Sequence, residues 1–238
     1  MFANILGFKI FRGDKHSFME YIKKYDKINI ISGNPEILVN GRKNKNLKES
    51  FNRETSIIIP DGIGTVLASK IVKDSVKEKI AGIDIVKEIL KKCNNEQLGI
   101  YLLGAQENVL KKCEENIKKE YPKLHIEGSH NGFFDINDCE EIINDIERKK
   151  IYAIFVAMGS PRQEIFIDKI INRCNIRIFM GVGGVFDIFS GKLKRAPKWM
   201  INLGLEWLYR TLKEPYRIKR LIVIPKFLLE VIMYRRIK

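Results

Sequence analysis

Short apolar runs alternate with stretches of helical periodicity along most of the chain. "INIIS", "SIIIP", "LGIYLLG", "KLHIEG", "IYAIFVAMG" and "IRIFMGVGG" each have strand length, and each precedes a segment at helical spacing. Runs that are apolar throughout, rather than alternating, belong to strands covered on both faces, which is the situation of a parallel sheet between helices. The pattern predicts an α/β fold with a doubly wound, mostly parallel sheet of Rossmann-like form. The opening "MFANILGFKIFRGDKHSF" lacks the basic flank and small-residue cleavage site of a signal peptide. It reads as a strand, and with it a protein that stays inside the cell. No repeat, low-complexity segment or Gly/Pro/Ser linker divides the chain. The expected organisation is a core over 1–195 and a helical appendage over 196–238.

In such sheets ligands bind beyond the carboxyl ends of the strands, so the residues that follow each run are the ones to inspect. They are Ser32 to Asn34, Asp61 to Gly64, Gly104, Gly128 to Gly132, Gly159 to Glu164 and Gly181 to Asp187. "IIIPDGIG" puts a carboxylate at a strand exit before a Gly-x-Gly that lets backbone approach a ligand closely. Asp61 there suits a general base, or it caps the following helix. In "MGSPRQE", Gln163 and Glu164 suit hydrogen bonds to sugar hydroxyls or a base. The same residues also fit a plain helix start, with Ser160 as cap and Pro161 at the first position. "GVGGVFDIFSGKLKRAP" adds Asp187 after a glycine-rich turn but lacks the G-x-G-x-x-G and downstream acid of a dinucleotide site. Walker lysine, G-x-S-x-G and D-x-D motifs are also missing.

Composition narrows the classes. With 238 residues and 45% hydrophobic content the chain can bury a sizeable core. Cys93, Cys113, Cys139 and Cys174 are scattered without a C-x-x-C pair, and His16, His125 and His130 are dispersed. Neither a disulfide framework nor a metal site is indicated, and a reducing cytosol fits. The net charge of +14 is concentrated: from Lys192 onward thirteen Lys or Arg face three Glu, so this tail holds ten of the fourteen charges. An anionic partner for the tail follows.

Its central stretch "GLEWLYRTLKEPYRIKRLIVIPKF" mixes arginines with bulky apolar side chains. Three readings compete: a nucleic-acid patch, a helix packed into the core, and a surface meeting lipid and phosphate together. Bulky aliphatics among the arginines and the want of a recognition module argue against nucleic acid. Lys226 and Glu230 break the apolar run after Arg220, which is too short to span a bilayer. An interfacial helix is the preferred reading, with Leu221 to Ile224, Phe227, Leu228, Val231 and Ile232 as its apolar side and a break or kink at Pro225.

Taken as an ordered set, "PDGIG", "AGID", "YLLGA", "GSHNGFF", "MGSPRQE", "GVGGVFDIFSGKLKRAP" and "GLEWLYRTLKEPYRIKR" resemble the WecG/TagA/CpsF glycosyltransferases, from Ile31 to Arg220. The resemblance implies an inverting, cofactor-free enzyme at the cytoplasmic face of the membrane. It would move a sugar from a UDP-sugar donor to a polyprenyl-diphosphate-linked N-acetylglucosamine. The likeness is nearest to the N-acetylmannosaminyltransferases of wall teichoic acid linkage synthesis. N-acetylmannosaminuronic acid or glucose is the alternative donor sugar, and a non-catalytic nucleotide- or phospholipid-binding module is the alternative of another class.

Carried over by position, the resemblance makes Asp61 the catalytic base and places Ser32, Asn34, Lys79, Gln163 and Asp187 at the donor. Arg210, Arg217 and Arg220 stabilise the diphosphate. Lys79 stands where many members carry arginine, which keeps the charge and loses the bidentate fork. A homo-oligomer is compatible with the sequence, which does not decide it.

Overall fold

The computed structural model describes residues 1–202, 205–213 and 218–237; within these, the side chains of Lys198, Asn202, Trp207, Arg210, 218–222 and 236–237 lie outside the description. The strands are β1 (Phe2–Ile5), β2 (Phe8–Phe11), β3 (Ile28–Ser32), β4 (Ser56–Ile59), β5 (Gly99–Gly104), β6 (His125–His130), β7 (Ala153–Ala157) and β8 (Ile178–Gly181). The helices are α1 (Lys15–Tyr21), α2 (Pro35–Lys43), α3 (Lys45–Phe51), α4 (Ile63–Ile71), α5 (Gly82–Glu96) and α6 (Glu107–Glu120). They continue as α7 (Glu140–Glu147), α8 (Arg162–Ile170), α9 (Val185–Phe189), α10 (Lys198–Asn202), α11 (Glu206–Lys213) and α12 (Ile218–Ile237).

All strands join one sheet in the order β1-β2-β4-β3-β8-β7-β5-β6. Every pairing is parallel except β1 with β2. The α/β doubly wound architecture is therefore present, and each of the six apolar runs is a strand. The opening segment differs from the single strand expected of it. It is a hairpin turned by Leu6 (φ 55°) and Gly7 (φ 85°), the pair of positive φ angles that a two-residue turn with the sheet's twist requires. The Asn4 side chain accepts the Gly7 amide at 3.1 Å and closes it.

Strand residues alternate between the two faces of the sheet, one covered by a single core and the other by two. Ile57, Ile59, Ala153 and Phe155 join the apolar side chains of α1, α5, α6 and α9. Ile58 points the other way, into a core built with α2, α3, α4 and α12. Ile154 and Val156 do the same beneath α7 and α8. This is the period of two of a pleated strand, with both faces covered. Helix starts are secured locally: Asp14, Asn34 and Asn44 accept amide hydrogens from Ser17, Ile37 and Leu47 at 2.8, 3.1 and 3.2 Å. All four cysteines are free and buried. Burial pushes the thiols of Cys93 and Cys113 up to about 12 and that of Cys174 to about 11.

The C-terminal helix corrects two expectations. α12 runs through Pro225 rather than stopping there. Its Phe227 and Val231 are buried in the core formed with β1, β2 and α2, and Leu228 packs against that core. Burying side chains of this size stabilises by about 1.5–3 kcal/mol each, which offsets the hydrogen bond that proline cannot donate. Leu229, Ile232 and Met233 are exposed. Among the described residues no helix is long and apolar enough to cross a membrane.

Candidate active site

A cleft of about 600 Å³ opens at the carboxyl ends of β3, β4, β5, β7 and β8. It collects strand-exit residues singled out in the sequence, Ser32, Asn34, Asp61, Gln163 and Asp187, and Lys79 from the loop before α5 lines it as well. Parallel strands explain the convergence, because every strand delivers its exit loop to the same edge of the sheet.

Asp61 follows β4, and its Oδ2 accepts the backbone N–H of Gly82, the first residue of α5, at 3.4 Å. The cap position of α4 belongs to Gly62 (φ 89°), which offers no side chain. A Cβ on Gly82 would lie 2.7 Å from Ser32 Oγ and 3.4 Å from Asp61 Oδ2. Glycine is thus the residue that lets the hydroxyl and the carboxylate close around the start of α5. This is a role for "AGID" that spacing did not disclose. Gly62 to Gly64 of α4, Ala81 to Ile83 of α5 and Gln106 before α6 also line the cleft. Neither the Gly62 nor the Ala81 cap position supplies a side-chain bond. The positive ends of long helices therefore face the cleft, which favours an anionic ligand.

Asn34 lines the cleft while its Oδ1 caps α2 through the Ile37 amide at 3.1 Å. Gln163 is only 2% exposed. Its Oε1 accepts the Gly183 amide at 3.0 Å, and its Nε2 donates to Glu164 Oε1 at 2.7 Å. Both ends of the amide are engaged within the protein, so Gln163 props the glycine turn after β8. Gly181 makes room for it, since a Cβ there would come within 2.7 Å of Nε2. Glu164 is buried, its Oε2 has no hydrogen-bond partner among the described residues, and burial raises its pKa. Ser160 does not cap α8: Pro161 holds that position after a cis Ser160–Pro161 peptide, and the Ser160 hydroxyl accepts from Asn40 Nδ2 at 3.1 Å.

Charged residues complete the walls, and of these Arg162, Lys192 and Glu206 carry no role in the sequence reading. Asp187 pairs with Lys192 at 3.4 Å, and both line the cleft. Arg162 donates to the carbonyls of Gly132 and Phe134 at 3.3 and 2.8 Å, clamping the loop after β6. Lys79 meets Glu206 of α11 at 2.9 Å, and Glu206 also faces Arg195 at 3.5 Å. Thr211, Val223 and Ile224 bring α11 and α12 to the cleft. Arg217 lies outside the described residues, and Arg210 and Arg220 belong to α11 and α12 with their side chains outside the description. Among the described residues no three His, Cys, Asp or Glu side chains gather as a metal site would need.

Known proteins resemble this chain over most of its length. A protein of Bacillus subtilis (strain 168) named N-acetylglucosaminyldiphosphoundecaprenol N-acetyl-beta-D-mannosaminyltransferase is 37% identical over 221 residues, covering 91% of this chain and 85% of its own. Proteins of the same name from Bacillus spizizenii and Staphylococcus aureus (strain MRSA252) are 34% and 35% identical, each over 87% of this chain and 79% and 80% of their own. The model of the glycosyl transferase WecG/TagA/CpsF family matches residues 3–238, and with the sheet, the cleft and these relatives it establishes that the chain belongs to that family.

Proposed function

We propose that this protein is an inverting glycosyltransferase that moves N-acetylmannosamine from UDP-N-acetylmannosamine to the N-acetylglucosamine of a polyprenyl-diphosphate acceptor, building a teichoic acid linkage unit. The observation that carries the reading is the carboxylate of Asp61, held beside the start of α5 in a cleft lined by helix N-termini, in a chain whose relatives bear that enzyme name.

Inversion needs the acceptor hydroxyl to attack the anomeric carbon opposite the departing UDP. Asp61 takes the proton of that hydroxyl. Charge building on the diphosphate is met by the N-termini of α4 and α5, by Lys79 and by Arg210, Arg217 and Arg220 of the C-terminal segment. Ser32 and Asp187 hold the donor, Asn34 shapes its wall as the α2 cap, and Gln163 acts through the Gly183 turn. The acceptor is a lipid, and the exposed Leu229, Ile232 and Met233 of α12 supply an apolar strip for docking on the inner membrane surface.

The deciding experiment incubates the protein with a panel of UDP-sugars and a short-chain polyprenyl-diphosphate-N-acetylglucosamine, then reads product mass and released UDP. One added N-acetylhexosamine from UDP-N-acetylmannosamine supports the reading. A uronate or hexose adduct reassigns the donor. Binding of UDP-sugar with no UDP released makes the protein a binding module.

A further inference from the structure

α11 is held on the rest of the protein in an unusual way. Among its described side chains Glu206 alone is buried; Leu208, Tyr209 and Thr211 are half-buried, and Leu212 and Lys213 are exposed. A helix normally docks through an apolar stripe. Here the buried anchor is a carboxylate, and it is met by cations from two separate segments. Glu206 Oε2 lies 2.9 Å from Lys79 Nζ, in the loop before α5. Glu206 Oε1 lies 3.5 Å from Arg195 Nε, in the loop before α10. The Arg195 guanidinium in turn forks onto Asp84 of the first turn of α5 at 2.6 and 2.9 Å. Lys79 and Glu206 lie 127 positions apart in the chain and Arg195 and Asp84 lie 111 apart, so these contacts are tertiary and owe nothing to helix-surface pairing.

Two further facts give the chain of charges a direction. It ends on the first turn of α5, whose Gly82 amide holds Asp61. It begins on the helix that brings Thr211 to the cleft. A buried carboxylate between two cations is costly to leave half-paired, so the arrangement has one favoured geometry rather than a sliding range.

We propose that Glu206, through Lys79 and through Arg195 on Asp84, is a positioning residue that fixes α11 against the catalytic face and sets the C-terminal segment in register with Asp61. This rests on the transferase reading above and adds to it the device that joins the two parts of the site. Arg195 and Asp84 are positioning residues on the same account. The ion pairs set where the C-terminal groups stand in the transition state, while the strand-exit residues and helix N-termini of the cleft supply nucleotide contacts that do not depend on them.

The test uses the full-length protein and the variants Glu206→Gln, Arg195→Gln and the double variant, with Asp84→Asn reaching the same tether from the α5 side. For each, kcat and KM with the lipid acceptor, the dissociation constant for UDP, the melting temperature and trypsin cleavage at Lys198, Arg210 and Lys213 are measured. Displacing a reacting group by about 1 Å costs up to ~10²-fold in rate. The expected result is a kcat lower by roughly 10- to 100-fold, with UDP affinity changed by a smaller factor than kcat and cleavage faster. The double variant should be no worse than the poorer single one, because residues acting as one unit are not additive. Unchanged kcat, additive losses, or a fall of UDP affinity in step with melting temperature would each overturn the proposal. A wild-type protein that forms no glycosylated product would instead overturn the transferase reading. In that case the trypsin and UDP measurements still decide whether Glu206 fixes α11.

Discussion

Replacing Asp61 with asparagine separates the chemistry of the site from its architecture. Asparagine keeps an oxygen able to accept the Gly82 amide, now 3.4 Å from Asp61 Oδ2, and it has nearly the same volume. A bond of that length is weak, and exchanging its charged acceptor for a neutral one there costs about 1 kcal/mol. For a chain of this size that is a fall of roughly 2–4 °C in Tm. The amide cannot take a proton. A general base is worth about 10²–10⁴-fold, or roughly 2.7–5.4 kcal/mol of barrier. Release of UDP at saturating donor and acceptor reads the rate, calorimetric titration with UDP reads the cleft, and a thermal melt reads the fold. The expectation is a rate lower by two to four orders of magnitude, with roughly unchanged UDP affinity. A variant that retains more than about a tenth of the wild-type rate refutes the assignment, because no proton acceptor contributes so little.

Gly82→Ala should lower both stability and activity, since its Cβ would stand 2.7 Å from the buried Ser32 hydroxyl. Overpacking of this kind costs about 1–3 kcal/mol, and a melt within 1 °C of wild type would show that Ser32 yields freely. Glu164 has a pKa raised by burial above its ordinary 4.5, so its stabilising contribution is present below that value and is lost as pH rises through the raised one. Glu164→Gln should therefore lose less Tm than wild type as pH rises above the ordinary carboxylate range, and a difference that stays constant with pH there would contradict the linkage. In α12, Phe227→Ala should cost about 3–5 kcal/mol of stability. Leu229→Ser with Met233→Ser should leave the melt unchanged and weaken binding to anionic liposomes by well over tenfold, at about 1.5–3 kcal/mol per buried side chain. Liposome binding that survives the pair would remove α12 from the membrane contact.

Much of the site was legible because its signals are local. "PDGIG" and "MGSPRQE" announce a strand exit through backbone chemistry alone, and in a parallel sheet all such exits share one edge. What those side chains do there was less legible. Asn34 has a polar side chain suited to a ligand, yet its oxygen is committed to the Ile37 amide. Gln163 looked like a sugar-binding group, and both ends of its amide are taken up by Glu164 and Gly183. A polar residue at a strand exit can serve the ligand or the turn, and its partner is chosen by neighbours far along the chain.

By itself, then, the sequence determined the alternation of buried strands and amphipathic helices, the parallel class of the sheet and the identities of the exit residues, since each depends on periods of two to four residues along one backbone. Only the tertiary structure decided that Phe227 and Val231 belong to the core rather than to a lipid face. The same is true of Gly82 standing between Ser32 and Asp61, and of Glu206 meeting Lys79 and Arg195. Those contacts depend on strand order and on where the C-terminal helices return. Both are set by the summed packing of the whole chain, for which no short stretch carries a period.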